Sequence, residues 1–195
     1  VEPTPAEAAL NARIGAAIRR LRERSGLSMR ELARRASISQ PFLSQLEHGT
    51  SAPSMITTYR LAEALGVQPG ALLPAPGTSP VHITRAAEGR LIPVAPRPDA
   101  ALGRALLMRG DTPLEIIEYQ VKPGEYLREW FTSPGDLALY VITGTVDVEV
   151  EGTGTHRLHP RDLLTHDASI RHRWTLASDA PAHLLLTIAH PRPTP

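Results

Sequence analysis

The hydrophobic period of this chain changes once, across a proline-rich tract. Before residue 74 apolar side chains recur at helical spacing; after residue 80 they alternate. A helix-period stretch does not settle as a strand, nor an alternating one as a helix, so the two stretches cannot share one layer of secondary structure. Between them, Pro74-Ala-Pro-Gly-Thr-Ser-Pro80 has three prolines and no period, as a semi-rigid linker does. The expectation is a multidomain α plus all-β chain: residues 1–73 helical, 74–80 linker, 81–195 sheet. With 195 residues, both halves can bury a core.

In the first half, Ile14, Ile18 and Leu21 fall at i, i+4 and i+7, while Arg13, Arg19, Arg20, Arg22 and Arg24 lie mainly on the other faces. This predicts an amphipathic helix over 11–23, ended by Ser25-Gly26-Leu27. Ser28-Met-Arg-Glu31 has the spacing of a capping box and opens a second helix, 29–36. Ser39, with Pro41 in the first turn, starts a third over 40–47. Pro53-Ser54 announces a fourth over 55–65, closed by Gly66, and a short fifth is expected over 69–73. Five helices is the expectation.

The clearest strand is Val146-Asp-Val-Glu-Val-Glu151, with valines on one face and carboxylates on the other. Similar runs occupy 81–84, 114–121, 137–142, 163–164, 173–176 and 183–188. Short strands at this spacing suggest a sandwich or barrel.

Charge divides along the same boundary. The chain carries 21 basic and 20 acidic residues, a net +1. Residues 1–80 nevertheless hold nine arginines against six glutamates, net +3, and residues 81–195 are net −2. Eight of the nine arginines lie between 13 and 35, a basic patch of the kind that nucleic acid attracts.

Several functional classes lack their residues. There is no cysteine, so disulfides, thiolate metal sites and cysteine nucleophiles are excluded. No apolar run approaches the ~18 residues of a membrane span, and no charged-then-apolar signal opens the chain. A soluble cytoplasmic protein is expected. No Gly-X-Ser-X-Gly elbow or phosphate-binding glycine loop occurs, and Glu149 and Glu151 belong to a strand's solvent face, so no enzyme is expected.

The tract from Ile14 to Leu73 resembles the DNA-binding domain of the XRE family, related to phage repressor and Cro domains. The resemblance is carried by Ile18-Arg19, Leu21-Arg22, Gly26-Leu27-Ser28, Glu31-Leu32-Ala33, Ile38-Ser39, Leu43-Ser44-Gln45-Leu46-Glu47-His48-Gly49, Pro53-Ser54 and Leu61-Ala62 with Leu65-Gly66-Val67. It implies a repressor-like helix-turn-helix domain whose third helix enters the major groove. The implied base readers are Gln40, Phe42 or its neighbour Pro41, Ser44 and Gln45; Gln can contact adenine bidentately and Phe a thymine methyl. Ser28, Met29, Arg30 and Ser39 would lie near phosphates, with Arg19 and Arg22 as further candidates. The turn between the motif helices often has Gly where this chain has Ser37, and a left-handed backbone there would cost about 1 kcal/mol.

The second half resembles a cupin, a double-stranded β-helix or jelly-roll barrel. Val121-Lys-Pro-Gly124, Pro134-Gly-Asp136 with Tyr140-Val141 and Gly144, and Leu158-His-Pro-Arg-Asp162 with His172-Arg-Trp174 carry the likeness. Metal-dependent cupins supply three histidines and a glutamate. Here Phe131 and Ser133 stand at the His-X-His pair and Leu137 at the glutamate, leaving only His172, so no metal and no cofactor are expected. His156, His159 and His166 are irregularly spaced. Six of the eight aromatic residues lie in this half, most of them expected in the core, and Arg128, His172 and Trp174 are the candidates for lining an effector pocket.

Together these readings imply a sequence-specific transcriptional regulator, a homodimer on a pseudo-palindromic operator in double-stranded DNA, with a small-molecule effector in the barrel. The alternatives are a metal-dependent cupin enzyme with a DNA-binding tether and a barrel that only dimerises.

Overall fold

The computed structural model describes residues 4–73, 81–110 and 112–191; the expected linker, 74–80, lies outside them. The chain groups into two compact units, one helical and one of sheet. Residues 54–56 group with the second and 109–110 with the first.

The helical unit contains α1 (Pro5–Arg24), α2 (Met29–Arg35), α3 (Gln40–Glu47) and α4 (Met55–Leu65). The first helix begins well before the apolar repeat does. Thr4 caps it: the Thr4 hydroxyl accepts the Glu7 N–H at 3.3 Å, and the Glu7 carboxylate accepts the Thr4 N–H at 2.7 Å, with Pro5 in the first turn. At α2 only half of the expected box forms. Ser28 Oγ accepts the Glu31 N–H at 3.1 Å, but the Glu31 carboxylate turns to Arg34 and Arg35 instead. Ile14, Ile18, Leu32, Ala33, Ala36, Leu43, Leu46, Leu61, Ala62 and Leu65 form the core.

The expected fifth helix is a correction. Pro69–Leu72 is a 3-10 turn, its bonds running from Ala71 N–H to Gln68 O at 2.9 Å and from Leu73 N–H to Gly70 O at 3.1 Å. Leu73 precedes a proline, which disfavours helical backbone there, and it is extended (φ −93°, ψ 152°), so the turn has no room to lengthen.

The sheet unit contains β1 (Arg90–Pro93), β2 (Leu102–Leu107), β3 (Leu114–Val121), β4 (Asp136–Thr143), β5 (Val146–Val150), β6 (Gly154–Leu158), β7 (Leu163–Asp167), β8 (His172–Leu176) and β9 (Ala182–Ala189). Six strands pair antiparallel in the order β1-β2-β3-β9-β4-β7 and three in the order β6-β5-β8. After β4 the chain passes back and forth between the two sheets, as in a jelly roll. Val146, Val148 and Val150 are buried as the alternation predicts, with Leu137, Leu139, Val141, Leu184, Leu186 and Ile188. Trp174 meets Tyr119 edge-on at 4.8 Å.

The run 81–84 is not a strand. Thr84 Oγ1 donates to Leu106 O at 2.8 Å, but Val81 and Ile83 are exposed. Alternation alone supplies neither a pairing edge nor an apolar surface to cover.

Candidate nucleic-acid interface

Two buried leucines orient α3. Leu43 and Leu46, three apart, enter the helical core, which leaves Gln40, Pro41 and Gln45 exposed on the other side. Ser39 caps the helix, its Oγ accepting the Phe42 N–H at 3.2 Å, and Pro41 sits in the first turn where its missing N–H costs nothing. Gln45 stays available: Ser51 Oγ donates to its Oε1 at a loose 3.5 Å. Ser44 is half-buried and its carbonyl faces His48 Nδ1 at 2.7 Å. Phe42 and Met29 pack partly against the core, so part of each side chain is already committed.

The turn into α3 is set by Ser37, at φ 53°. Ile38 N–H bonds back to Ala33 O at 3.0 Å and Ser37 N–H to Arg34 O at 3.2 Å, closing α2 with a left-handed residue as helix ends commonly do. Gly15 brings α1 onto α3. A Cβ there would stand 2.3 Å from Leu46 O, so only glycine permits this approach. The sequence signal for it was an isolated glycine within a helical repeat.

The arginines separate by their partners. Arg22 lies between α1 and α3, donating to Glu47 through Nε at 2.6 Å and Nη2 at 2.9 Å and to Leu27 O through Nη1 at 3.1 Å. Its side chain is 12% exposed and that of Glu47 5%, a structural clamp. Donating to the Glu47 carboxylate raises the Arg22 pKa against the opposing effect of burial. Arg34 and Arg35 share Glu31, whose pKa those hydrogen bonds pull down to about 2. Arg19 pairs with Glu23 at 2.9 Å, both well exposed. Arg13, Arg20, Arg24 and Arg30 are exposed and, among the described residues, hold no ion pair. Arg30, on the first turn of α2 beside the exposed cap Ser28, is thus a cation with no internal partner.

In the sheet unit the candidate pocket residues divide. His172 and Trp174 are buried, whereas Arg128 is exposed. Phe131 bridges His172 across the strands and their rings stack at 6.4 Å; His166, paired with Leu137, meets His172 edge-on at 4.7 Å. Each imidazole faces a backbone carbonyl through Nδ1, His166 with Asp167 O at 2.7 Å and His172 with Ile170 O at 3.1 Å. Burial pushes the His172 pKa down to about 4, so it is neutral near pH 7. His156 and His159 are exposed. Among the described residues no three His, Asp or Glu side chains converge as metal ligands. Two imidazoles without a carboxylate, beside Phe131 and Leu137, do not fit a buried divalent ion.

Comparison with known proteins agrees with both geometries. The family model described as Helix-turn-helix matches residues 18–72, and that described as Cupin domain matches 117–188. An uncharacterized HTH-type transcriptional regulator of Sinorhizobium fredii, y4dJ, is 46% identical over 54 residues, 28% of this chain and 70% of that protein. The HTH-type transcriptional regulator DdrOP3 of Deinococcus deserti is 42% identical over 50 residues, 26% of this chain and 39% of that protein. In fold, the chain is similar to the crystal structure of an HTH_3 family transcriptional regulator from Vibrio cholerae, with a TM-score of 0.67 and 20% identity over 95% of this chain and 99% of that one. No described helix is long and apolar enough to cross a membrane. With a repressor-like four-helix unit, a double-sheet unit and these matches, the chain belongs to the XRE-type helix-turn-helix transcriptional regulators that carry a cupin domain.

Proposed function

We propose that this regulator acts in the cytoplasm as a homodimer, reading a pseudo-palindromic operator with α3 and binding a small-molecule effector in its cupin domain. The observation that carries the DNA reading is the exposed, uncommitted side of α3, with Gln40 and Gln45 outward and the unpaired Arg30 on the neighbouring α2. A glutamine carboxamide in the major groove pairs with adenine N6 and N7, and a guanidinium beside it holds a phosphate without reading sequence. Ser28 and Ser39 present helix N-termini to the backbone in this reading; Pro41, Phe42 and Ser44 shape the surface against the base edges. Dimerisation follows from size, since one such module buries too little DNA for high specificity and a two-fold pair matches two half-sites. For the effector, the support is the buried, neutral His172 with His166 edge-on to it beside Phe131, and Trp174 in the same strand as His172. The two imidazoles beside Phe131 and Leu137 fit the metal-dependent enzyme reading poorly.

The test uses an operator selected from random duplexes by the full chain. Gln45→Ala should cost about 1–3 kcal/mol on that operator and little on unrelated DNA, whereas Arg30→Ala should weaken both and reduce the salt slope by about one. Equal losses on both sequences for Gln45→Ala would remove it as a base reader.

A further inference from the structure

Three arginines of α1, Arg13, Arg20 and Arg24, leave the helix in one stripe. Their spacings are close to two turns and one turn at 3.6 residues per turn, so the three side chains fall within about 40° of one another. All three are exposed and, among the described residues, none holds an ion pair. The two carboxylates of the same helix are engaged elsewhere: Glu7 accepts from Thr4 at 2.7 Å and Glu23 from Arg19 at 2.9 Å.

The stripe lies across α1 from α3. The two helices meet through Gly15, where a Cβ would stand 2.3 Å from Leu46 O, and through Arg22, which is clamped to Glu47. Gly15 and Arg22 leave α1 about 160° around from the stripe. The body of α1, ~10–12 Å thick with its side chains, therefore stands between the three arginines and α3. Folding does not account for them. Arg20 and Arg24 are like charges at i,i+4, an unfavourable pair. Arg24, in the last turn, suits the negative end of the helix dipole, but Arg13 and Arg20 lie beyond its reach.

We propose that this stripe is a second nucleic-acid face, which holds the phosphate backbone of a DNA segment other than the one under α3. It goes beyond the operator reading, in which α3 and the first turn of α2 make the contacts. Each guanidinium fork can donate two parallel N–H bonds to one phosphate, and three in a row suit a chain of evenly spaced anions. A protein partner would instead need a large apolar or aromatic anchor at the centre of its contact. The exposed residues flanking the stripe are Ala9 and Ala16, too small to anchor a protein and small enough to let a phosphate backbone approach. Contacts to phosphate carry no sequence, so this face can take flanking or looped DNA while α3 stays on the operator.

The test fills the full chain with a stoichiometric short operator duplex, so that α3 is occupied, and then titrates in a labelled duplex of unrelated sequence, read by fluorescence anisotropy at low salt. The wild type is compared with the triple variant Arg13→Gln, Arg20→Gln, Arg24→Gln, in which glutamine keeps the helix propensity, and unchanged thermal unfolding establishes that the variant folds. The wild type should take up the second duplex with a log–log salt slope of about −2.7, as three phosphate contacts give, and the triple variant should bind it at least about tenfold more weakly. Both should bind the short operator alike. A triple variant that keeps its hold on the second duplex overturns the proposal. Loss of short-operator affinity in the variant, with its salt slope reduced by about three, overturns it as well, because the arginines then hold the operator itself. A wild-type chain that takes up no second duplex also overturns it, and arginine-dependent binding of polyglutamate in that case assigns the stripe to an acidic protein.

Discussion

Ser37 holds φ at 53°, in the left-handed region where a Cβ crowds the following carbonyl. The conformation was legible from one departure in the sequence, a serine where the turn between motif helices commonly has glycine. It is retained because three backbone bonds fix it: Ala36, Ser37 and Ile38 N–H groups all return to carbonyls of α2. Ser37→Gly should therefore stabilise the chain by up to about 1 kcal/mol, relief of the Cβ clash outweighing the added freedom of the unfolded backbone. Urea unfolding followed by circular dichroism measures it, and a lower midpoint for the glycine variant would mean that the Ser37 side chain contributes something the backbone bonds do not reveal. Arg161 is a parallel case at φ 76°, after Pro160 in a turn closed by Asp162 N–H to His159 O at 3.0 Å. Nothing in its sequence neighbourhood marked it, because Pro-Arg carries no turn signal as strong as Pro-Gly.

Among the elements, legibility tracked one-sided burial. β5 was read correctly because its valines face a core while its carboxylates face water. β6 was missed because Gly154, Thr155, His156 and Arg157 are all exposed and leave no alternation to detect. β1 was missed because Arg90–Pro93 is four residues long, β2 because the buried side of Leu102–Leu107 is marked only by Gly103 and Ala105, and 81–84 misled because it alternates while Val81 and Ile83 are exposed. The same logic separates Arg22 from its neighbours on α1. A sequence shows five arginines on one helix but not that one of them faces Glu47 across the α1 and α3 contact, 25 residues away in the chain. Arg22→Ala should cost about 3 kcal/mol in denaturant unfolding, because it strands the nearly buried Glu47 carboxylate. It should leave the salt slope of DNA binding close to wild type at temperatures where the variant is folded. A variant with full stability and a reduced slope would instead make Arg22 a phosphate contact.

At the scale of the molecule, the change of hydrophobic period was enough to separate a helical from a sheet unit, since period is a property of each stretch alone. It could not show that residues 54–56 group with the sheet unit or 109–110 with the helical one, because those assignments depend on contacts far apart in sequence. The outward placement of Gln40 and Gln45 was legible for a related reason: Leu43 and Leu46 fix the inner side of α3, and the two glutamines follow as the outer side. What a dimer adds is a distance between two such helices. In the proposed homodimer two copies of α3 reach two half-sites from one side of the duplex, so the operator half-sites are expected about 10 bp or a multiple apart. Inserting about 5 bp between them turns one half-site to the opposite side and should lower full-chain affinity at least tenfold, towards that for a single half-site, while inserting about 10 bp should lower it less. Electrophoretic mobility shift at fixed salt reads both. Affinity that is indifferent to the 5 bp insertion would mean that each copy binds alone, and that the specificity resides in a single α3.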